Sequence, residues 1–325
     1  MSSTPETWFI TGGAGYIGAH IADAFLLAGK SVVIYDSLHK GSIEKIGYLE
    51  DKYKTHIPFI KGDICDKGAL EFALREKNFS GIVHSAALKS VEESFKNPDL
   101  YYNVNSEGTK NIINSATANS INRIIFSSTA AIYGNPTKEG ASQEIDEPRP
   151  ISPYGKTKLV AEEEIEKFSN IPGNHGISLR FFNVIGTGSS YLVDTSKDNL
   201  VPIVIEAIKN NMHIQVFGND YSTRDGTCIR DYVDVRDVSK AHLLAADTSI
   251  KLPRVINIGT GIGISVREVI NEICKVFEVA SPDIRNSVRR TGDPDSLWAD
   301  INLAKSLLRY VPDYSFDQSI KSLHF

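Results

Sequence analysis

Thr11-Gly12-Gly13-Ala14-Gly15-Tyr16-Ile17-Gly18 is the stretch on which the fold turns. It follows the apolar run Trp8–Thr11 directly and opens the helix-length stretch Tyr16–Gly29. Working outward, Ser31–Asp36, Ile57–Lys61, Gly81–His84, Arg123–Ser127 and Ile177–Phe182 are short apolar runs that read as buried strands. Between them lie Lys67–Lys77, Pro98–Asn119 and Pro153–Ser169, each of helical length. Strands alternating with helices make βαβ units, and these build a parallel sheet covered on both faces. Their right-handed crossovers leave one economical arrangement, an α/β doubly wound parallel sheet of Rossmann type.

After Asn183 the rhythm changes. Gly186–Asp198 reads as a loop, Val201–Asn211 as a helix, Ile214–Phe217 as a strand and Gly218–Arg230 as a polar loop. Smaller, mixed elements predict a second α/β lobe over the sheet's C-terminal edge. The expected division is 1–182 for the first lobe and 183–325 for the second. Within the latter, 234–259 reads as helix then strand (Val255–Ile258) and is expected to return to the first lobe.

The 325 residues allow about two domains, and 41% hydrophobic with 23% charged residues is ordinary globular composition. Lys and Arg number 35 against 40 Asp and Glu, a net charge of -5, which argues against a nucleic-acid partner. Cys65, Cys228 and Cys274 are far apart with no C-x-x-C and fit a reducing compartment. The segment Met1–Thr7 lacks the basic and long apolar parts of a secretion signal, and no later run is long enough to span a membrane. A cytoplasmic location is expected. No G-x-S-x-G or H-E-x-x-H occurs, and the eight histidines form no ligand-spaced cluster, so no metal is expected. Gly155-Lys156-Thr157 imitates the end of a P-loop, but Pro150 stands where that loop needs glycine.

In a dinucleotide site, Gly12 permits the tight turn, Gly15 lets pyrophosphate approach the backbone, and Gly18 lets helix and strand pack closely. Turns need glycine in any case, so the context decides. Asp36 ends the second strand, where a carboxylate binds an adenosine ribose hydroxyl pair and repels a 2'-phosphate. NAD is therefore expected over NADP. Asp63-Ile64 closes the third strand and is placed to lie beside the adenine; a plain strand terminus is the alternative.

Ser152-Pro153-Tyr154-Gly155-Lys156-Thr157-Lys158 starts a helix, with Ser152 as N-cap and Pro153 in the first turn. Tyr154 and Lys158, four apart, share a face. A free phenol has a pKa near 10, so a base for neutral pH needs a drop of about 3 units, roughly 4 kcal/mol. One ammonium about 6 Å away contributes about 2.8 kcal/mol at an effective dielectric near 20. The positive nicotinamide of oxidised NAD would add a similar amount. Tyr-x-x-x-Lys alone is a common surface pair; the preceding dinucleotide pattern gives it meaning. Ser127, Ser128 and Thr129 end the fifth strand, where a hydroxyl reaches the ligand crevice. Thr129 is suited to pass a proton to Tyr154, while Ser127 and Ser128 read equally well as caps for loose backbone groups.

These motifs resemble the extended short-chain dehydrogenases/reductases, and within them the UDP-glucose (UDP-galactose) 4-epimerase family. The closer resemblance rests on Leu88-Lys89-Ser90-Val91-Glu92-Glu93-Ser94, Leu179-Arg180-Phe181-Phe182-Asn183, Phe217-Gly218-Asn219-Asp220-Tyr221, Asp225-Gly226-Thr227, Arg230-Asp231-Tyr232 and Trp298-Ala299-Asp300. It covers essentially the whole chain. The resemblance implies a UDP-sugar substrate and NAD that stays bound and is recycled: Tyr154 takes the 4-hydroxyl proton as hydride leaves C4, and the 4-keto sugar swings and is reduced on its other face. Thr129, Tyr154 and Lys158 are the implied catalytic residues. Gly12, Gly15, Tyr16, Ile17, Gly18, Asp36, Asp63, Ile64, Lys89, Asn105, Tyr154, Lys158 and Phe181 would hold NAD. Lys89 and Thr129 would also face the substrate. Asn183, Arg230 and Arg290 would hold the UDP phosphates, in keeping with the guanidinium fork's match to phosphate oxygens. Asn199, Leu200, Val216 and Phe217 would frame uracil, Asp293 would bind its ribose, and Leu297 would set room at the sugar C2. A homodimer through helices such as Pro98–Asn119 and Pro153–Ser169 is also implied.

The chain departs from the family at Ser85, Ala87, Phe181 and Asp234, where Phe, Gly, Tyr and His are usual. Leu297 is smaller than the tyrosine of strict glucose epimerases and larger than the small residues that admit N-acetyl sugars. UDP-N-acetylglucosamine or UDP-glucuronate 4-epimerase is therefore the alternative activity, with a non-catalytic NAD-sensing protein more remote. A 4,6-dehydratase needs acid and base carboxyls after the threonine, where this chain has Ala130 and Ala131. The end at Phe325 reads as falling inside a final helix.

Overall fold

Seven parallel strands make the first sheet of the structure, a computed structural model that describes residues 6–75, 78–136, 140–196, 199–290 and 293–323. They are β1 (Thr7–Thr11), β2 (Ser31–Asp36), β3 (Phe59–Lys61), β4 (Gly81–His84), β5 (Arg123–Thr129), β6 (His175–Phe181) and, from far downstream, β10 (Val255–Ile258). Their order is β10-β6-β5-β4-β1-β2-β3. The chain runs outward from β1 through β2 to β3, then returns to lay β4, β5 and β6 on the other side. The reversal falls between β1 and β4, and a crevice opens there at the C-terminal strand ends.

The strands form here because both faces of each are apolar. Trp8, Ile10, Val32, Ile34, Val83 and Ile125 pack into one core cluster, while Phe9, Val33, Tyr35, Ile82, Ile124 and Phe126 pack into another. This period of two puts a layer of helices on each side. Tyr16–Leu27 and Val235–Asp247 pack together on the first face; Lys67–Arg75, Gly108–Ala118 and Pro153–Ser169 cover the second. The expected strand from Ile57 begins only at Phe59, after Pro58, which has no N–H to give a ladder. The expected helix to Lys77 is seen to Arg75, and Glu76 and Lys77 lie outside the described residues.

One expected element is broken. Pro98–Asn119 divides into Pro98–Tyr101, a π-helical turn at Tyr102–Glu107, and Gly108–Ala118. The widening has a tertiary cause. Asn105 Oδ1 accepts from Leu88 N at 2.9 Å and its Nδ2 donates to Leu88 O at 3.0 Å, while Ser106 Oγ donates to Thr157 O at 3.1 Å. Such bonds hold the turn at a wider register than 3.6 residues allow.

The second lobe holds β7 (Asn183–Ile185), β9 (Ile229–Asp234), β11 (Gly263–Ser265) and β13 (Ser296–Leu297) in one small sheet centred on β9. The strands β8 (Ile214–Phe217) and β12 (Ile284–Ser287) make a separate parallel pair. Helices Leu200–Lys209, Val266–Val276 and Phe316–Lys321 close a third apolar cluster around them. The last helix ends at Lys321, and Phe325 is outside the described residues. From 234 to 259 the chain lies against the first sheet: Asp234 caps Val235–Asp247 by accepting from Arg236 N, and β10 pairs with β6. Among the described residues no helix is long and apolar enough to cross a membrane.

Candidate active site

The glycine turn sits at the reversal of strand order. Gly12 has φ +71°, and a Cβ there would lie 2.7 Å from Ala86 N, so the end of β1 meets the loop after β4 with no room for a side chain. A Cβ on Gly18 would collide with the Gly12 carbonyl, so only glycine lets the helix start this close to the strand. Gly15 is the N-cap of Tyr16–Leu27 and supplies no side-chain cap, which leaves first-turn N–H groups facing the crevice. Asp36 Oδ2 accepts from Ala14 N at 3.0 Å and Oδ1 from Leu38 N at 2.8 Å, fixing the β2 end against this turn. Burial pushes its pKa up against those two bonds. A bare cradle bounded by N–H donors and one carboxylate fits a dinucleotide.

Around the turn the other expected residues separate by what their side chains already do. Tyr16 hydroxyl donates to Gly186 O at 2.5 Å, tying the first helix to the loop after β7, and Ile17 packs on the first core. Asp63 accepts from Cys65 N, and Ile64 is buried against Gly108. Asn105 is spent on Leu88 and Thr157, so it holds the Lys89 loop and the Pro153–Ser169 helix together without presenting a free amide. Lys89 pairs with Asp194 at 3.3 Å, and the same carboxylate accepts Asn199 Nδ2 at 2.6 Å. Asp194, which the sequence did not single out, therefore joins two expected ligand residues from opposite lobes.

Beside the crevice, Pro153–Ser169 begins as Ser152 Oγ accepts from Gly155 N, and Tyr154 and Lys158 project from one face. The Thr129 side chain lies beside the Tyr154 phenol, whose pKa it draws down, and accepts from Ala131 N at 3.2 Å. Lys158 Nζ donates to Ser127 O at 2.7 Å and stands 4.1 Å above the Phe126 ring. Burial pushes the Tyr154 phenol up to about 12 against the opposing influence of Thr129, and pushes Lys158 down to about 7 against the Glu162 charge. The expectation that Lys158 lowers Tyr154 is thus opposed in the chain itself by desolvation. Ser127 and Ser128 do not cap backbone groups: Ser127 Oγ meets His242 Nε2 at 2.9 Å, and Ser128 Oγ donates to Glu162 at 2.5 Å. Glu162 is in turn paired with Arg180 at 2.6 Å, both fully buried. Phe181 ends β6 with its ring 6.1 Å from that of His242.

In the second lobe, Arg230 Nη2 reaches Asp293 Oδ1 at 3.0 Å and Nη1 donates to Ile229 O, while Arg290 lies 4.1 Å over the Phe217 ring. Asn183 is exposed at the start of β7, and Leu200 packs beside the third cluster. The Val216 side chain is part of that core, so only its main chain is left to frame a base. Leu297 pairs with Arg230 in the β13–β9 register and packs with Ala130, Tyr133, Phe182, Ala299 and Ile301. It lies beside the turn that follows Thr129. Among the described residues, no three His, Cys, Asp or Glu side chains are placed to hold a metal.

The GDP-mannose 4,6 dehydratase family model matches residues 9–323. A UDP-glucose 4-epimerase of Halalkalibacterium halodurans is 36% identical over 94% of this chain and 90% of its own length. The crystal structure of UDP-glucose 4-epimerase from Bifidobacterium longum in complex with NAD+ and UDP superposes with TM-score 0.92 at 31% identity, covering 98% of this chain and 96% of that one. The UDP-Glc/GlcNAc 4-epimerase of Campylobacter jejuni superposes with TM-score 0.85 at 35% identity, covering 98% of each chain. With its glycine turn, its Thr129–Tyr154–Lys158 grouping and these likenesses over nearly its full length, the chain belongs to the UDP-glucose 4-epimerase family of the extended short-chain dehydrogenases/reductases.

Proposed function

We propose that this protein is an NAD-dependent UDP-hexose 4-epimerase that interconverts UDP-glucose and UDP-galactose. The observation that carries this is the single strand end of β5, which sets Thr129 beside the Tyr154 phenol and gives its Ser127 carbonyl to Lys158, next to the glycine turn. NAD, when bound, supplies the two-electron oxidation and re-reduction at the sugar C4. Gly12, Gly15, Tyr16, Ile17, Gly18, Asp36, Asp63, Ile64, Lys89 and Phe181 line its place in the 1–182 portion, with 234–259 added to it. Tyr154 takes the proton of the 4-hydroxyl and later returns it, and Thr129 bridges the two oxygens. Lys158 would stabilise the phenolate and, with NAD bound, would hold the nicotinamide ribose.

The work required of these cations is larger than a free phenol suggests. Bringing a phenol from about 12 to about 7 takes roughly 7 kcal/mol at 1.36 kcal/mol per pKa unit. One ammonium in a wet site supplies less than half of that. The burial that raises the phenol also lowers the local dielectric, so each cation counts for more once substrate excludes water.

In the 183–325 portion, Arg230, Arg290 and Asn183 would take the diphosphate, Asp293 the ribose, and Asn199, Leu200, Phe217 and the Val216 main chain the uracil. A second reading rests on Leu297, which is neither the bulky aromatic of a strict glucose enzyme nor a small residue: UDP-N-acetylglucosamine or UDP-glucuronate is then the preferred sugar. A cytoplasmic homodimer fits the exposed Phe95, Leu100 and Tyr102 on the segment before Gly108. The deciding experiment incubates the purified protein with UDP-galactose and no added nicotinamide, and separates products by chromatography, with a panel of UDP-sugars in parallel. UDP-glucose must form; no product from any UDP-sugar overturns the assignment.

A further inference from the structure

Ser127 and Ser128 immediately precede Thr129, and the structure ties each hydroxyl to a buried side chain on an opposite face of the sheet. On one face, His242 of the helix Val235–Asp247 presents Nε2 to Ser127 Oγ at 2.9 Å, while its Nδ1 lies 2.8 Å from Val238 O. A carbonyl can only accept, so Nδ1 carries the ring proton and Nε2 is the acceptor; the Ser127 hydroxyl donates to it. Burial holds His242 down at about 4, so this neutral tautomer persists at working pH. On the other face, Ser128 donates to Glu162, itself pinned by Arg180.

We propose that His242 is a positioning residue for proton transfer: by fixing the Ser127 hydroxyl it fixes the Ser127 carbonyl that holds Lys158 and, two residues on, the place of Thr129 beside Tyr154. The inference rests on Tyr154 being the base. His242 touches neither Tyr154 nor Lys158 and acts only through β5. A purely structural role would pin helix to sheet and leave the proton-transfer groups unchanged. The two roles differ in what they do to the phenol. Charged and titratable groups around Lys158 are Glu162 on its own helix, Arg180 on β6, His84 on β4 and Tyr154, and none of them is replaced in the variants below.

The test uses the holoenzyme as purified, in four forms: Ser127→Ala, His242→Leu, the double variant and His242→Gln, whose amide oxygen can replace Nε2 as acceptor. Titration of the Tyr154 phenolate is read by near-ultraviolet absorbance, as the difference from the matching Tyr154→Phe protein, and kcat and KM are measured separately. Each single variant should lower kcat about tenfold, the scale of one hydrogen bond supporting a charge, with KM within about twofold. The phenolate midpoint should rise by about one pH unit. The double variant should be no worse than His242→Leu, because both break one bond, and His242→Gln should recover most of the loss. A lower melting temperature with unchanged kcat and phenolate midpoint overturns the proposal, as do additive effects in the double variant. If His242→Leu does not fold, the hydroxyl deletion at Ser127 decides alone. The phenolate titration needs no turnover, so failure of the epimerase assignment would show as an inactive wild type and would leave the positioning result readable.

Discussion

Glu162→Gln keeps the shape of a side chain that is fully buried and removes its charge. In the native protein Glu162 receives Arg180 through Nε at 2.9 Å and Nη2 at 2.6 Å, and Arg180 is itself only 1% exposed. The remaining guanidinium nitrogen, Nη1, already has no partner, so the variant leaves a buried cation without a counter-charge. Breaking one half of such a pair costs about 3–5 kcal/mol. At about 2.1 cal/mol/K per residue, the 325 residues carry an unfolding entropy near 0.7 kcal/mol/K, so the melting temperature should fall by about 4–7 °C. A second consequence is chemical. The Glu162 charge opposes the burial that depresses Lys158, so without it Lys158 loses its proton at a still lower pH than about 7. The alkaline limb of activity, where the ammonium is lost, should therefore move to lower pH. Melting is to be followed at fixed NAD and protein concentration, since a bound ligand shifts the transition by mass action, and the rate is to be profiled against pH. The double variant Glu162→Leu with Arg180→Met removes both charges, so stability should return while the pH profile stays displaced. A wild-type melting temperature for Glu162→Gln, or recovery of both properties in the double variant, would refute the reasoning.

Tyr154→Phe should reduce kcat by about two to four orders of magnitude with UDP affinity, measured by calorimetry, largely kept; near-normal turnover removes Tyr154 as base. Leu297→Tyr should favour plain over N-acetylated UDP-sugars and Leu297→Ser should do the reverse, by about tenfold in the ratio of kcat/KM values; an unchanged ratio dismisses the pocket argument. His242, held at about 4 against an ordinary 6.5, is neutral in the folded chain and protonated in the unfolded one between those values. Its contribution is complete above pH 6.5 and is lost as pH falls through 4, so in His242→Gln the rise of stability with pH, from denaturant unfolding between pH 4 and 6, should be shallower by about 1.4 kcal/mol per pH unit.

Much of this architecture was legible because it is local. Pro153–Ser169, Ile214–Phe217 and Val255–Ile258 have the bounds their sequences predict, since apolar period, Ser152 capping and flanking turn residues all agree there. The break in Pro98–Asn119 was not legible, because it depends on Leu88 and Thr157, which only the tertiary fold brings to Asn105 and Ser106. Glu162 could have been found, being one helical turn beyond Lys158 on the same face. His242 carries no such signal: it is a polar residue on a buried helix face, and its partner is 115 positions away. Asp194 lies in a polar loop where nothing local distinguishes it from its neighbours. Val216 shows a different limit. Its membership in an apolar strand was visible, but which side of that strand faces the core depends on how β8 pairs with β12.

The distribution of charge along the crevice bears on how one sugar can present two faces to the same oxidant. At the nucleotide end the side chains are directional: Arg230 with Asp293, Arg290 over Phe217, and Asn199 and Lys89 joined through Asp194. In the proposed complex Arg230, Arg290, Asp293 and Asn199 would face phosphates, a ribose and a base, and their existing contacts keep them organised. Near Thr129 the neighbours are Ala130, Tyr133, Phe182 and Leu297, whose packing is apolar and non-directional. Tyr133 spends its hydroxyl on Asn257 at 2.6 Å, so its polar end is already satisfied. A hexose held there would feel shape and few hydrogen bonds, and turning it over would break little. In the proposed complex the anchoring energy would reside in UDP, which need not turn. Differential binding of this kind leaves the two sugar orientations near equal in energy, as an enzyme running a reversible epimerisation requires.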